Sequence, residues 1–212
     1  MHSNPFLQQT VVRATRLRSL DRPRDAQEPW TFGSLVGRLS ELSEERSEGA
    51  LSLACSIVAE AQSAGEPVAW IAPGATLFYP SDLSENGIDV DSIAIVRLPG
   101  ARAAALAAEW LLRSGTFGLL ILDLGADWRV ADAALGRLAR LAERGASAVL
   151  FLTRKAEGEQ SIGSMISLRA EVHFDPDGET SPVALIVHTI KNKRGAPEAT
   201  VRRLLDGSRG MY

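Results

Sequence analysis

Four short apolar runs bounded by turn residues constrain the fold of this chain more than any other feature. Their sequences are VAWIA (68–72), SIAIVRL (92–98), FGLLILDL (117–124) and SAVLFLT (147–153). Such runs are typical of strands covered on both faces. Helical patterns alternate with them, in ARAAALAAEWLLRSG (101–115) and VADAALGRLARLAERG (130–145). This alternation predicts a mostly parallel α/β sheet flanked by helices, with right-handed crossovers.

The two ends of the chain have different patterns. Residues 6–20 place apolar side chains among Arg13, Arg16 and Arg18, which predicts a helix with a basic side. A proline-containing linker follows, so we expect an N-terminal helical arm and linker over 1–29 and a core domain over 30–212. Near the other end, three strand-like runs are separated by short turn-forming segments. They predict antiparallel C-terminal strands: RAEVHFD (169–175), PVALIVHTIKN (182–192) and ATVRRLLD (199–206).

Composition narrows the classes of function. The net charge of -3 over 212 residues is too mild to indicate nucleic acid or membrane as a partner. No apolar run reaches the roughly 20 residues of a membrane-spanning helix. The single cysteine, Cys55, allows no internal disulfide and is expected to be a packed thiol. The three histidines lie far apart, so we expect no metal site, and the chain is predicted to be a soluble cytoplasmic protein.

Residues 37–62, GRLSELSEERSEGALSLACSIVAEAQ, have the layout of a phosphate-binding loop but not its chemistry. With Gly49 as the last glycine of G-x-x-x-x-G-K-[ST], Glu44 replaces the first glycine, Ala50 the lysine and Leu51 the hydroxyl residue. Those lost residues would reach the outer phosphates and hold magnesium, and a carboxylate repels phosphate. The periodicity still predicts a strand over Val36–Ser43 and a helix over Gly49–Ser63.

Several segments resemble the core of the RecA family. GRLSELSEERSEGALSLACSIVAEAQSAGEPVAWI (37–71) is similar to its strand, P-loop, helix and next strand, and HTIKNKRGAP, His188–Pro197, is similar to its V-K-N-K-x-x-x-P strand. GIDVDSIAIVRL (87–98) and SGTFGLLILDLGAD (114–127) resemble segments between them. The resemblance covers roughly residues 33–205 in the right order. It implies a RecA-like core with a degenerate P-loop.

One branch of that superfamily is more similar than RecA itself. Trp70–Leu124 resembles the ImuA family, with an A-P-x-x-x-x-Y-x-P segment, an x-x-G-I-D motif and an E-x-x-L-R-S-G helix end. Members of that family accompany an error-prone translesion polymerase in the bacterial DNA-damage response. The resemblance therefore implies a role in translesion synthesis, with RecA or an ImuB-like polymerase component as partner.

The same comparison predicts that the chain does not hydrolyse ATP. RecA-type ATPases keep a water-activating glutamate after the strand that follows the P-loop helix, whereas this chain has Gly74 there. Asp123 ends a strand where such folds keep the acid that orders magnesium. Without the lysine and hydroxyl it is expected to be a vestigial residue that caps the next turn. No cofactor is predicted.

The remaining candidates are basic or aromatic. Arg154 and Lys155 are candidate DNA contacts, although two charges on a loop also fit a solvated tip. Lys191, Lys193 and Arg194 are a candidate partner interface, since the matching RecA lysines reach the neighbouring protomer's nucleotide; a strand edge protected by charge is the alternative. Arg13, Arg16 and Arg18 form a second candidate partner interface, or bind nucleic acid. Trp110 and Trp128 face a partner or fill the core.

We expect a non-catalytic RecA-like accessory protein that acts through protein partners and modulates RecA, with DNA binding weak or indirect. Two other classes stay open. A divergent ATPase would need a lysine from a second protomer, and Lys191 or Lys193 is the evident candidate. A cell-division inhibitor of the SulA type, also a degenerate RecA-like fold, would block the division protein FtsZ.

Overall fold

A single nine-stranded sheet runs through the computed structural model, which describes residues 18–19, 29–45, 49–73, 87–126, 129–156, 158–175, 183–195 and 199–205. The strands are β1 (Arg18–Ser19), β2 (Arg38–Glu44), β3 (Val68–Pro73), β4 (Ile93–Leu98), β5 (Leu119–Gly125), β6 (Ala148–Arg154), β7 (Leu168–Phe174), β8 (Val183–Asn192) and β9 (Ala199–Leu205). The helices are α1 (Phe32–Leu35), α2 (Gly49–Ser63), α3 (Gly100–Ser114) and α4 (Asp132–Gly145).

The strand order is β1-β9-β8-β7-β2-β6-β5-β3-β4. Strands β2 to β7 pair in parallel, whereas β8 and β9 extend the sheet by antiparallel pairing. The predicted fold class is therefore confirmed: a mostly parallel sheet with antiparallel C-terminal strands. Arg18 and Ser19 correct one detail, because they form a strand antiparallel to β9 instead of ending the predicted helix. Pairing with Leu204 and Arg203, far along the chain, overrides local periodicity there.

Helices cover both faces of the sheet. Leu42, Ile121 and Leu150 face the side on which α1 and α2 pack. Leu39 and Phe151 face the other side, with α3 and α4. Because β5 and β6 are covered on both faces, nearly all their side chains are buried, which explains the unbroken apolar runs in the sequence.

Local chemistry sets the ends of the elements. Helix α2 has the predicted bounds, and α3 ends at Gly115, whose φ of 69° gives a left-handed cap. Strand β2 begins at Arg38 rather than Val36, because Gly37 turns the chain with a φ of 69°. Among the described residues, no helix is long and apolar enough to cross a membrane.

The parallel strands give the sheet two unlike edges. We call the edge at which β2, β5 and β6 end the carboxyl edge, and it carries Glu44, Asp123 and Arg154. The amino edge is the one at which β2 begins. Strand β8 runs antiparallel to β7, so its last residues reach the amino edge, where Asn192 pairs with Leu168. The candidate site residues therefore divide between opposite edges.

Candidate functional site

A carboxylate of the chain itself occupies the start of α2. Glu44 is the last residue of β2, and its Oε2 accepts the backbone N–H of Ala50 at 2.8 Å. The first backbone N–H groups of a helix have no partner within the helix and form the usual phosphate-binding position. One of these donors is thus already bonded to an anionic side chain. That side chain belongs to Glu44, the residue predicted to replace the first glycine of the phosphate-loop pattern.

Packing explains the other residues of the predicted degenerate loop. A Cβ added at the buried Gly49 would lie 3.1 Å from Cγ1 of Val172, so this glycine allows α2 to begin close to β7. Ala50 is buried, and Leu51 packs against the core on the α2 face of the sheet. An apolar side chain therefore stands at the position that the predicted register gives to a magnesium-binding hydroxyl.

Asp123 lies at the end of β5 on the same face of the sheet as α2. Its neighbours on the strand, Leu122 and Leu124, point to the opposite face. Burial raises the pKa of Asp123 to about 6, although a hydrogen bond from Trp70, the charge of Arg154 and the Gly125 backbone lower it. Burial thus disfavours the ionised form of Asp123, which is the form that would hold magnesium.

The amino edge collects the basic residues at the end of β8. Lys191 pairs with Arg169 of β7, and the described pairing of β8 with β9 runs from Val183 to Thr189. Burial and the charge of Lys193 lower the pKa of Lys191. The ammonium of Lys193 donates to the carbonyl of Ser164 at 2.6 Å. This placement fits both a strand protected by its charges from pairing with another chain and an interface with a partner protein.

Lys155 contradicts its prediction as a DNA contact. Its side chain is fully buried, and Nζ lies 2.5 Å from Oε1 of Glu41, a buried carboxylate in the middle of β2. Nζ also donates to the carbonyl of Gln160. The ammonium therefore faces inward because a buried charge requires an opposite charge nearby. Arg154 is exposed, so it alone of this pair remains a candidate DNA contact.

The buried pair belongs to a polar cluster that holds the chain after β6. Besides Lys155, the Glu41 carboxylate accepts bonds from the hydroxyl of Thr153, the hydroxyl of Ser161 and the backbone N–H of Ile162. Arg169 donates to the carbonyl of Glu159. The described part of segment 155–163 is thus held in place by hydrogen bonds to buried side chains.

The basic arm falls mostly outside the described residues. Arg13 and Arg16 lie outside them, as do Gly74 and Trp128. Arg18 is placed only by its backbone, in β1. The proposed partner interface of the arm therefore stays a prediction.

Trp110 is not a core residue. It is 71% exposed on α3, and Leu106, one turn earlier, is 56% exposed. The core-filling alternative is thus wrong for Trp110. Cys55 is buried as expected. Among the described residues, no cluster of histidine, cysteine and acidic side chains could hold a metal ion.

Sequence reasoning missed the Glu41 cluster and Arg38. The available signal was charge inside the predicted strand Val36–Ser43, in which Glu41 lies between Leu39 and Leu42 and Arg38 precedes Leu39. Arg38 is 6% exposed and Glu41 is fully buried. Buried charges require partners, but a single sequence does not say which distant residues supply them.

Comparisons with known proteins connect the chain with one family. The chain is 32% identical over 117 residues to protein RecA of Fusobacterium nucleatum subsp. nucleatum, covering 51% of this chain and 31% of that protein. It is also 32% identical over 113 residues to protein RecA of Ruminococcus albus, covering 50% and 28%. With protein RecA of Chlorobium limicola the identity is 31% over 87 residues, covering 41% and 25%. No family model matches the chain.

The matches support a RecA-like relationship, in agreement with the sheet topology. They span less than a third of the length of each of these RecA proteins.

Proposed function

We propose that the chain is a non-catalytic, RecA-like accessory protein of damage-induced translesion DNA synthesis in the bacterial cytoplasm. It acts through RecA, an ImuB-like component of the translesion polymerase, or both, and it modulates RecA. The ImuA-like segment at Trp70–Leu124 supplies the pathway in this proposal. Direct DNA contact is weak or indirect, because Lys155 is buried and only Arg154 of that pair is exposed.

The bond between Glu44 and the Ala50 backbone carries the proposal. An incoming γ-phosphate would have to displace a carboxylate that already accepts this N–H, and it would meet negative charge on approach. No lysine side chain compensates, since Ala50 holds that position. In this proposal the strand, loop and helix serve as a scaffold, and the Glu44 carboxylate lies where a phosphate would bind.

Asp123 supports the same conclusion. Its pKa is raised to about 6 by burial, whereas a magnesium ligand needs water and phosphate oxygens around it. The hydroxyl that would share the ion is replaced by the core-packed Leu51. The residues present do not fit a magnesium–nucleotide complex.

Two exposed features support a role through partners. Trp110 and Leu106 lie one turn apart on the outer side of α3, and exposed aromatic side chains of this kind are enriched in protein interfaces. Lys193 is exposed and Lys191 half-buried at the amino edge, which is the opposite end of the strands from the start of α2. They favour docking on RecA-bound nucleotide, as the family resemblance implies.

The test combines three measurements on the pure protein. Its own ATP turnover is measured first. Binding to RecA filaments on single-stranded DNA and the RecA ATPase rate are then measured with and without it. The expected result is no turnover by the protein alone, together with binding and a changed RecA rate. The double variant Lys191→Ala/Lys193→Ala should bind RecA more weakly, whereas the control Arg140→Ala, at an exposed arginine on α4, should not.

Other results identify the alternatives. ATP turnover that is abolished by Asp123→Asn would overturn the proposal and favour a divergent ATPase completed by a second protomer. Binding to FtsZ with inhibition of its polymerisation, and no effect on RecA, would favour the SulA-type inhibitor. Failure to bind either RecA or a translesion polymerase component would overturn the assignment to translesion synthesis.

A further inference from the structure

Arg38 is a buried cation with no ion-pair partner among the described residues. It is 6% exposed, and its guanidinium makes two long bonds, to the carbonyl of Ser34 at 3.4 Å and to Oδ1 of Asn192 at 3.3 Å. Its Nε has no hydrogen-bond partner, and no carboxylate pairs with it among the described residues. Buried polar groups are usually satisfied, and an unsatisfied one often marks the place of a bound ion or water.

Arg194 places a second guanidinium beside the first. Its NH1 and NH2 groups donate to the carbonyls of Val36 and Gly37 at 3.1 and 2.6 Å. Its backbone N–H donates to Oδ1 of Asn192, the same oxygen that Arg38 contacts. Neutral carbonyls thus fix the Arg194 side chain in position while leaving its charge unpaired with any acid among the described residues.

The positive charges of Arg38 and Arg194 repel each other. Burial and the positive charge of Arg194 lower the pKa of Arg38 to about 10. An anion beside both groups would remove this repulsion and supply the missing opposite charge. The acidic residue whose backbone comes near, Glu143, makes no ion pair with either arginine in the described part of the chain.

We propose that Arg38 and Arg194 form a phosphate-binding site at the amino edge of the sheet, with the exposed Arg194 as the point of entry. Guanidinium groups recognise phosphate through paired N–H donors in a planar fork. The exposed Lys193, next to Arg194 in the chain, adds positive charge nearby without belonging to the pair. The site is distinct from the degenerate loop at the opposite edge, and it does not rest on the function proposed above.

Phosphate occurs free, in nucleotides and in nucleic-acid backbones, so the test uses three probes. Inorganic pyrophosphate, ATP and a mixed-sequence single-stranded oligonucleotide are each titrated by calorimetry at constant ionic strength. The variant Arg194→Gln should lose affinity for the bound probe by about tenfold, as expected for one lost charge-assisted contact. Arg194→Lys, which keeps the charge, should recover part of it. Arg140→Gln, an exposed arginine on α4, is the matched control and should bind as the unchanged protein does.

The outcomes separate the sources of phosphate. Tight binding of the oligonucleotide alone, weakened by salt, identifies a nucleic-acid backbone. Binding of pyrophosphate and ATP identifies free phosphate or nucleotide. Absence of binding by all three probes, or equal binding by the Arg194→Gln variant, would overturn the proposal. Thermal unfolding of each variant without ligand verifies that the fold is intact. RecA docking is measured separately, so the two proposals fail independently.

Discussion

At the residue scale, Glu44 is expected to stabilise the helix that it caps. Glu44→Ala removes the carboxylate from the Ala50 N–H and from the positive end of α2, so it should lower the free energy of unfolding by about 1 kcal/mol. Urea unfolding measures the change. Glu45→Ala, which removes the exposed neighbouring carboxylate, is the control and should have little effect.

The same variant tests whether the start of α2 can bind a nucleotide phosphate once the Glu44 carboxylate is removed. Glu44→Ala should still fail to bind a fluorescent ATP analogue, because Ala50 and Leu51 supply neither a lysine nor a hydroxyl. Micromolar binding by the variant would mean that Glu44 alone blocks an otherwise working site.

Asp123 gives a prediction with a definite sign. Because burial raises its folded-state pKa from 3.8 to about 6, the folded state holds the proton more tightly than the unfolded state. Stability is therefore lost as the pH rises from about 4 to 6, and the penalty is fully present above that range. Asp123→Asn should be more stable than the unchanged protein by about 1–3 kcal/mol at neutral pH, and this gain should vanish below about pH 4.

Urea unfolding at the two pH values checks this prediction. A variant that is less stable at neutral pH would show that the ionised carboxylate makes interactions that outweigh its burial. Such a result would also reopen a role for Asp123 in holding a cation.

Single residues show where sequence reasoning is strong and where it ends. The absence of lysine and hydroxyl at Ala50 and Leu51 is visible in the sequence, because it depends on residue type at a fixed spacing. The bond from Ala50 to Glu44 is not visible, since the same residues also fit a solvent-exposed carboxylate. Lys155 was misassigned because its buried partner, Glu41, lies 114 positions away.

At the element scale, the segment after β6 is expected to depend on the Glu41 cluster. Lys155→Ala leaves a fully buried carboxylate without its ammonium, and it should lower the free energy of unfolding by about 3 kcal/mol. Arg154→Ala, its exposed neighbour, should cost less than about 0.5 kcal/mol. Chemical denaturation of the two variants measures the difference.

Hydrogen exchange locates the effect. In Lys155→Ala, the backbone amide of Ile162, which donates to Glu41, should lose protection. Equal stability of the two variants would contradict the buried ion pair. If Lys155→Ala weakened DNA binding more than Arg154→Ala did, without lowering stability, Lys155 would again be a candidate DNA contact.

Elements with strong local signals were predictable. Helix α2 has its predicted bounds, and α3 ends at the predicted Gly115, because periodicity and a glycine cap are local properties. Strand β1 was not predictable from local pattern, since it exists only through pairing with β9. Sheet order was predictable only through the family resemblance, because periodicity does not identify which strands are neighbours.

At the scale of the whole molecule, the two edges of the sheet differ in what they offer a partner. At the carboxyl edge, Glu44 accepts the backbone N–H of Ala50 at the start of α2. At the amino edge lie Lys191 and Lys193. In head-to-tail assemblies each subunit uses one surface to bind the preceding copy and a different surface to bind the next. A RecA-like chain that keeps only one of these two binding surfaces should bind one end of a RecA filament. It should then prevent the addition of further RecA subunits at that end.

The measurement is growth of fluorescent RecA filaments on single-stranded DNA, followed separately at each end. Amounts well below the RecA concentration should suffice, because each filament has only one receptive end. Growth should stop at that end and continue at the other. Lys191→Ala/Lys193→Ala should lose the effect, and Arg140→Ala should retain it. Inhibition at both ends, or only at amounts equal to RecA, would instead indicate binding along the filament side, for which the exposed Trp110 on α3 is the feature to test next.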